Sequence, residues 1–96
     1  MDIDPKVLED IDLKFLLTFL LIYQEQSVSR AAACLNVTQP AVSNTLARLR
    51  EYFSDPLFIR HASGVTPTRR AQRIAEELGP AFAQIQTTLT RSKSPL

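Results

Sequence analysis

The sequence predicts a mainly α-helical domain in which three short helices precede a two-stranded hairpin and one long terminal helix. Apolar residues recur at helical spacing in four stretches, and a good capping residue stands before each stretch. A short β-type run with a glycine-led return separates the third stretch from the fourth. With 96 residues and 45% apolar content, the chain can build one core but no roomy active-site cleft. We therefore expect a binding module.

The first predicted helix begins after Asp12, a good N-cap. Its apolar stripe at helical spacing consists of Leu13, Leu16, Leu17, Leu20 and Tyr23. Phe15, Phe19 and Ile22 lie outside that stripe. In so small a chain, a helix that is apolar over so much of its circumference is expected to have a second partner surface. These three residues are therefore predicted at a dimer interface.

The next two helices are predicted to form a helix-turn-helix. Ser27 caps a short helix from Val28 to Leu35, and Asn36-Val37 forms the turn. Thr38 caps the third helix, and Pro40 stands in its first turn, where a missing N–H has no intrahelical partner to lose. The predicted buried stripe is Val42, Leu46, Leu49 and Phe53. The opposite face presents Gln39, Pro40, Ser43, Asn44, Ala47 and Arg48.

The segment after the third helix is predicted to form a wing. Ser54-Asp55-Pro56 ends the helix, because the residue before proline disfavours the helical region. Leu57 to Arg60 is expected as one strand and Gly64 to Thr66 as its return, with His61 to Ser63 at the tip. Three helices and this wing together predict a winged helix-turn-helix.

A long helix is predicted to follow the N-cap Thr68. Gly79-Pro80 interrupts it, but the apolar seam resumes in register, so we expect a kink near Leu78 and not a stop. A seam this long cannot fold back wholly on three small helices, which indicates a dimer helix. Its expected interface residues are Leu78, Phe82, Ile85 and Leu89.

These elements predict four parts of the chain. Residues 1–11 form an N-terminal extension, residues 12–67 the winged helix-turn-helix, residues 68–91 the linker and dimerisation helix, and residues 92–96 a frayed end.

The formal net charge of +1 conceals an uneven distribution. Residues 1–26 carry −4, residues 27–73 carry +5, and the remaining residues balance. All seven basic residues of the middle segment are arginine, whose planar fork suits phosphate and guanine. The segment that holds the helix-turn-helix therefore has the positive charge expected of a surface that binds nucleic acid.

Several function classes are disfavoured. The single cysteine, Cys34, is expected to be a buried structural thiol, and with one distant histidine, His61, it cannot form a metal site. Only Gly64 and Gly79 are present, so no glycine-rich loop could cradle a nucleotide phosphate, and we expect no cofactor. Ser29 and Ser43 have no histidine in plausible sequence context, which argues against an enzyme.

The N-terminus lacks the basic start and apolar run of a signal peptide. The apolar stretch from Leu16 to Tyr23 is far shorter than the roughly 20 residues that span a bilayer. We expect a cytoplasmic protein without a membrane partner.

The third helix is the predicted reader of double-stranded DNA. Gln39 can pair with adenine, Pro40 can contact a thymine methyl, and Ser43 and Asn44 can reach the next base edges. Phosphate contacts are expected from helix N-termini and nearby cations. They comprise Ser29, Arg30, Thr38, Arg48, Arg60, Thr68 and Arg69. A protein-interaction module that uses the helix-turn-helix only as scaffold is the alternative.

The sequence also resembles the N-terminal domain of LysR-type transcriptional regulators. The likeness covers about Ile11 to Leu89 and is strongest in the branch that holds the nodulation-gene activators and LeuO. It is carried by Asp12-Leu13, Phe19, Ser27-Val28-Ser29-Arg30-Ala31-Ala32, Leu35, Val37-Thr38-Gln39-Pro40-Ala41-Val42-Ser43, Leu46, Leu49-Arg50, Pro56-Leu57-Phe58, Arg60, Gly64 and Pro67-Thr68.

The resemblance implies a bacterial regulator domain that binds a near-palindromic site as a homodimer through an antiparallel linker helix. Members usually add a C-terminal effector-binding domain, which this chain ends before, and a tetramer is possible for the full-length parent. Many members have arginine where Asn44 stands, and many have arginine before the wing glycine, where this chain has Ser63. These departures weaken the expectation of arginine readout at those two positions.

Overall fold

The computed structural model describes residues 1–93, which form five helices and one two-stranded antiparallel sheet. In chain order the elements are α1 (Pro5–Leu8), α2 (Leu13–Glu25), α3 (Val28–Leu35), α4 (Gln39–Phe53), β1 (Phe58–His61), β2 (Gly64–Pro67) and α5 (Arg69–Lys93). The predicted winged helix-turn-helix with a long following helix is confirmed. The first, second and third predicted helices are α2, α3 and α4.

The starts of α2, α3 and α4 are set by local side-chain caps. Oxygens of Asp12, Ser27 and Thr38 each accept a hydrogen bond from a backbone N–H in the first turn, at 2.8, 3.1 and 3.2 Å respectively. Each cap satisfies one of the donors that a helix start leaves without an intrahelical partner. The three sequence-predicted start points are confirmed.

One short helix was not predicted. Within the expected N-terminal extension, Asp4 caps α1 and Pro5 is its first residue. This helix has only four residues, too few to show an apolar repeat in the sequence, and all of them are exposed.

Helix α2 buries Phe19 and Ile22, which the prediction placed outside the apolar stripe, together with Leu16 from the stripe. Phe19 and Ile22 are 0% exposed, whereas Leu13 and Leu17 are 49% and 39% exposed. The assignment of Phe19 and Ile22 to a dimer interface is therefore wrong, because they lie inside the monomer, and Phe15 is half-buried against the same core. Both faces of α2 repeat at helical spacing, so periodicity could not choose between them.

An aromatic cluster explains the choice. The ring of Phe19 lies 5.4 Å from that of Phe58 and 6.4 Å from that of Phe53, measured between centroids. Aromatic pairs at these separations stabilise a core beyond the area they bury. The cluster joins α2, α4 and β1, and therefore fixes the wing on the helices.

Cys34 is exposed, so the predicted buried thiol is wrong. The buried residues of α3 are Val28, Ala31 and Ala32. Cys34 lies about 100° around the helix from the centre of that face, because successive residues of an α-helix are about 100° apart. A small apolar residue beside three alanines gave no indication of this difference.

The wing begins one residue later than predicted. Strands β1 and β2 pair from Phe58 opposite Pro67 to His61 opposite Gly64, which leaves Ala62 and Ser63 as the tip. Leu57 takes a left-handed conformation with φ of 63° and belongs to the turn before the strand. His61, expected at the tip, therefore ends β1.

Gly64 lies where the wing meets the end of α2. Its φ is +144°, and a Cβ there would stand 2.4 Å from the carbonyl oxygen of Gln26. The same carbonyl accepts the backbone N–H of Val65 at 3.1 Å. Only glycine provides both this conformation and this close approach.

The carboxylate of Asp55 joins the end of α4 to the start of α5. Its Oδ2 accepts the backbone N–H of Leu57 at 2.8 Å and the hydroxyl of Thr68 at 2.7 Å. Thr68 Oγ1 in turn accepts the N–H of Ala71 and caps α5, as predicted. The hydrogen bonds from Thr68 and then Leu57, with a smaller effect of the Arg70 charge, hold the pKa of Asp55 below its ordinary value.

Helix α5 continues through Pro80 without a stop, in agreement with the resumed seam. Its buried residues, Ala71 and Ala75, are small enough for the helix to approach the core closely.

Ser92 and Lys93 are helical, so the frayed end predicted from residue 92 does not begin there, and its remainder lies outside the described residues. Among residues 1–93, no helix is both long and apolar enough to cross a membrane.

Replacing Gly64 with alanine should destabilise the domain by about 3 kcal/mol, because a Cβ meets a backbone carbonyl in a strained conformation. Urea denaturation at fixed protein concentration measures the change. Gly79→Ala is the matched control: apart from its chain neighbours and the backbone of its own helix, nothing lies within 4 Å of its Cβ position, so alanine there should change stability much less than at Gly64. A Gly64→Ala variant as stable as the original chain would contradict the close approach.

Replacing Asp55 with asparagine should lower stability at pH 7, and the deficit should shrink as the solution is acidified. Because the folded-state pKa is lowered, the carboxylate stabilises the fold above its unfolded value of about 3.9 and loses that effect as pH falls through the folded value. Urea midpoints between pH 7 and pH 2.5 test this. Asp2→Asn, at an exposed position ahead of α1, should follow the original chain throughout; a pH-independent deficit for Asp55→Asn would refute the assignment.

Candidate nucleic-acid interface

The outward face of α4 is polar and open. Its opposite face buries Val42, Leu46 and Leu49 in the core. Gln39, Pro40 and Asn44 are exposed, and Ser43 is half-buried on the flank. Three of the four predicted base-contacting residues therefore stand free of the core, and the fourth lies beside the wing.

The N-termini of α3 and α4 meet the wing at a shared polar groove of about 330 Å³. It is lined by Ser27, Ser29, Gln39, Arg60, His61 and Ser63, together with less polar neighbours. An adjoining groove adds Arg30 to His61 and Ser63. The fold thus brings together predicted base-contacting and phosphate-contacting residues that are up to about 30 positions apart in the chain.

Arg60 is tied to α4. Its Nη2 donates to the hydroxyl oxygen of Ser43 at 2.9 Å. The two residues are seventeen positions apart, so no local pattern in the sequence indicates the contact. The guanidinium therefore lies against the flank of α4 that carries Ser43.

His61 is held by the wing that contains it. Its Nε2 lies 3.0 Å from the Thr66 hydroxyl and its Nδ1 3.2 Å from the Ser63 hydroxyl. These contacts organise the wing tip. The sequence placed His61 at the wing tip without indicating either contact.

Two of the predicted phosphate-contacting residues have other surroundings. Thr68 donates its single hydroxyl proton to Asp55, and its contact with a phosphate stays a prediction. Arg48 lines a groove with Asp10, Asp12 and Glu51, away from the groove shared by α3 and the wing. Arg69 is exposed in the first turn of α5.

Arg50 was not singled out by the sequence. Its Nε donates to the carbonyl oxygen of Pro56 at 2.8 Å, and its Nη2 donates to that of Phe58 at 3.0 Å. It therefore fastens the last turns of α4 to the start of β1. The sequence indicates no such role, because the two carbonyls lie six and eight positions further along the chain.

A second surface lies far along α5, where an apolar groove of about 720 Å³ runs between α2 and α5. Phe82 is half-buried there, while Ile85 and Leu89 are 49% and 56% exposed. From α2 the groove is lined by Leu17, Leu20, Leu21 and Tyr23. Exposed apolar area of this kind on a small domain is typical of an association surface. Leu78 instead lines a separate groove with Leu13, Leu16 and Phe53.

Comparison with known proteins places this geometry in a family. Residues 13–72 match the family described as "Bacterial regulatory helix-turn-helix protein, lysR family". The chain is 42% identical over 82 residues to the HTH-type transcriptional regulator LeuO of Escherichia coli (strain K12), covering 85% of this chain and 26% of LeuO. It spans between a quarter and a third of the length of the curated relatives that it matches over most of its length.

Solved structures show the same fold. A probable transcriptional regulator from Pseudomonas aeruginosa superposes with a TM-score of 0.87 at 31% identity, covering 95% of this chain and 30% of the other. The DNA-binding domain of BenM, solved in complex with catB site 1 DNA, superposes with a TM-score of 0.75 at 23% identity, covering 86% and 89%. The relatives are transcriptional regulators and not enzymes. The chain belongs to the lysR family of bacterial regulatory helix-turn-helix proteins, and its fold is that of their DNA-binding domains.

Proposed function

We propose that this domain binds a near-palindromic site in double-stranded DNA as a homodimer, with α4 in the major groove of each half-site. The single observation that carries the proposal is the open polar face of α4 beside a groove that holds Gln39, Ser29 and Arg60. The bacterial cytoplasm, where the chromosome lies, is then the place where it acts.

Base readout is assigned to the outward face of α4. Gln39 and Asn44 offer paired donor and acceptor groups that suit adenine, and Pro40 offers apolar contact to a thymine methyl. Ser43 adds a hydroxyl on the flank nearest the wing. Readout by these four residues relies on amide and hydroxyl chemistry more than on arginine.

Phosphate binding is assigned to the helix starts and the cations around α4. Ser29 and Arg30 lie in the first turn of α3, and Thr38 caps α4, so backbone N–H groups and helix dipoles favour an anion at both places. Arg60 and Arg69 add charge at the wing and at the start of α5. We give Arg48 a lesser role, because Asp10, Asp12 and Glu51 line its groove and oppose a phosphate there.

The homodimer is assigned to α5 and the exposed side of α2. The apolar groove there contains Phe82, Ile85 and Leu89 from α5 and Leu17 and Leu21 from α2. Burying this area in a twofold partner would remove apolar surface from water at about 25 cal/mol per Å². A twofold dimer carries two reading heads, which accounts for a near-palindromic site.

Gln39→Ala should weaken binding to the preferred duplex about tenfold while changing binding to a random duplex less than twofold, because a base contact is lost. Selection of bound duplexes from a random library supplies the preferred site, and fluorescence anisotropy measures Kd. Arg30→Ala is the matched control: it should weaken both duplexes similarly and reduce the slope of log Kd against log salt by about 1.

The two variants distinguish reading from scaffolding. Equal losses for Gln39→Ala on both duplexes would remove this residue from base readout. Weak binding of the original chain with no steep salt dependence would contradict DNA binding itself and favour a protein-interaction module.

Leu89→Asp should shift the domain toward monomers, because an exposed apolar contact is replaced by a charge that must lose water on association. Sedimentation velocity over a range of concentrations measures the shift. Thr87→Asp, about half a turn around α5 and outside the groove, adds the same charge and should leave the association unchanged. An unaltered Leu89→Asp dimer would place the interface elsewhere.

A further inference from the structure

Strand β1 runs beside α4 and is attached to it at two points. Arg50 holds the carbonyl oxygens of Pro56 and Phe58, and Ser43 accepts from Arg60. Ser43 and Arg50 are close to two full turns apart, so they lie on one side of α4. The strand therefore passes along this side of the helix, in the opposite direction, toward the N-terminal end that presents Gln39.

The Ser43 hydroxyl has a different setting from its neighbours on α4. Asn44 is exposed, whereas Ser43 is half-buried with its oxygen turned to the wing. A hydroxyl can accept a hydrogen bond from Arg60 and still donate one of its own. A contact with Arg60 is thus compatible with DNA binding and does not have to be broken for it.

The Arg60 guanidinium has donors to spare. One Nη2 proton goes to Ser43, and a guanidinium carries five N–H donors in a planar fork. Arg60 also lines the same groove as Gln39, at the end of α4 assigned to base readout. A fork held at that place matches the paired acceptors O6 and N7 of guanine.

We propose that Ser43 is a positioning residue that holds Arg60 beside the reading face of α4, and that Arg60 reads a guanine edge in the same half-site. The inference rests on the proposed function. It moves Arg60 from the flanking phosphates to the base-reading set. It also makes part of the contribution of Ser43 indirect, through the orientation of the arginine fork.

A double-mutant cycle on the selected duplex tests the coupling. Arg60→Ala should weaken binding about tenfold and remove the preference for one G·C pair, as expected for loss of a bidentate arginine contact. Ser43→Ala should weaken binding about threefold and reduce the preference at that same pair. The double variant should match Arg60→Ala within twofold, because the positioned group is already absent.

Two controls sharpen the result. Ser43→Thr keeps the hydroxyl and should retain the G·C preference. Asn44→Ala changes an exposed neighbour on α4 without a bond to Arg60, so its effect should multiply with that of Arg60→Ala. Circular dichroism and urea midpoints of each variant confirm that the fold is retained.

Three outcomes would overturn the inference. Multiplying effects of Ser43→Ala and Arg60→Ala would show that the two act separately. An Arg60→Ala variant that weakens every duplex equally and only flattens the salt slope would make Arg60 a phosphate contact. If the original chain preferred no duplex, the proposed function itself would be refuted. If the original chain were sequence-selective but the effects of Ser43→Ala and Arg60→Ala were independent, only this inference would be refuted.

Discussion

The Asp55 carboxylate is the constraint on which the arrangement of the domain depends. It accepts from the turn that precedes β1 and from the cap that starts α5, immediately after α4 ends. Thr68 strengthens the junction, because its backbone N–H donates to the carbonyl of Leu57 at 2.8 Å. Helix α4, the wing and α5 therefore meet around one acceptor. The position of α5 relative to α4 is built into the monomer before any association.

The electrostatic character of the molecule follows from how the chain is partitioned. Acidic residues concentrate ahead of α2, and arginines surround α4 and the wing. Not every arginine is available to DNA: Arg50 is committed to two backbone carbonyls, and acidic side chains line the groove of Arg48. The number of cations in a segment therefore overestimates the number of phosphates it can bind. Placement on the folded surface decides which charges remain.

Local chemistry was predictable from the sequence, and long-range pairing was not. The caps Asp12, Ser27 and Thr38 act within three residues, so each helix start could be read directly. The burial of Phe19 depends on Phe58, which is distant in sequence, and the prediction assigned Phe19 to a dimer interface instead. The bond between Ser43 and Arg60 has no local signature either. The fold brings Ser29, Gln39 and Arg60 of the candidate site to one groove, but the sequence did not reveal the bonds among the side chains there.

Helix α5 packs on the core through the small, buried Ala71 and Ala75, and its exposed end, residues 83–93, forms an arm. Every residue from Ala83 to Lys93 is exposed, so this part of the helix extends beyond the core by roughly 16 Å at about 1.5 Å per residue. In the proposed dimer, the crossing point along this arm sets the separation of the two reading heads. A few degrees of bend at Pro80, which removes one helical hydrogen bond, would be magnified over the length of the arm. Half-site spacing is then a mechanical property of one helix, adjustable without altering a single DNA-facing side chain.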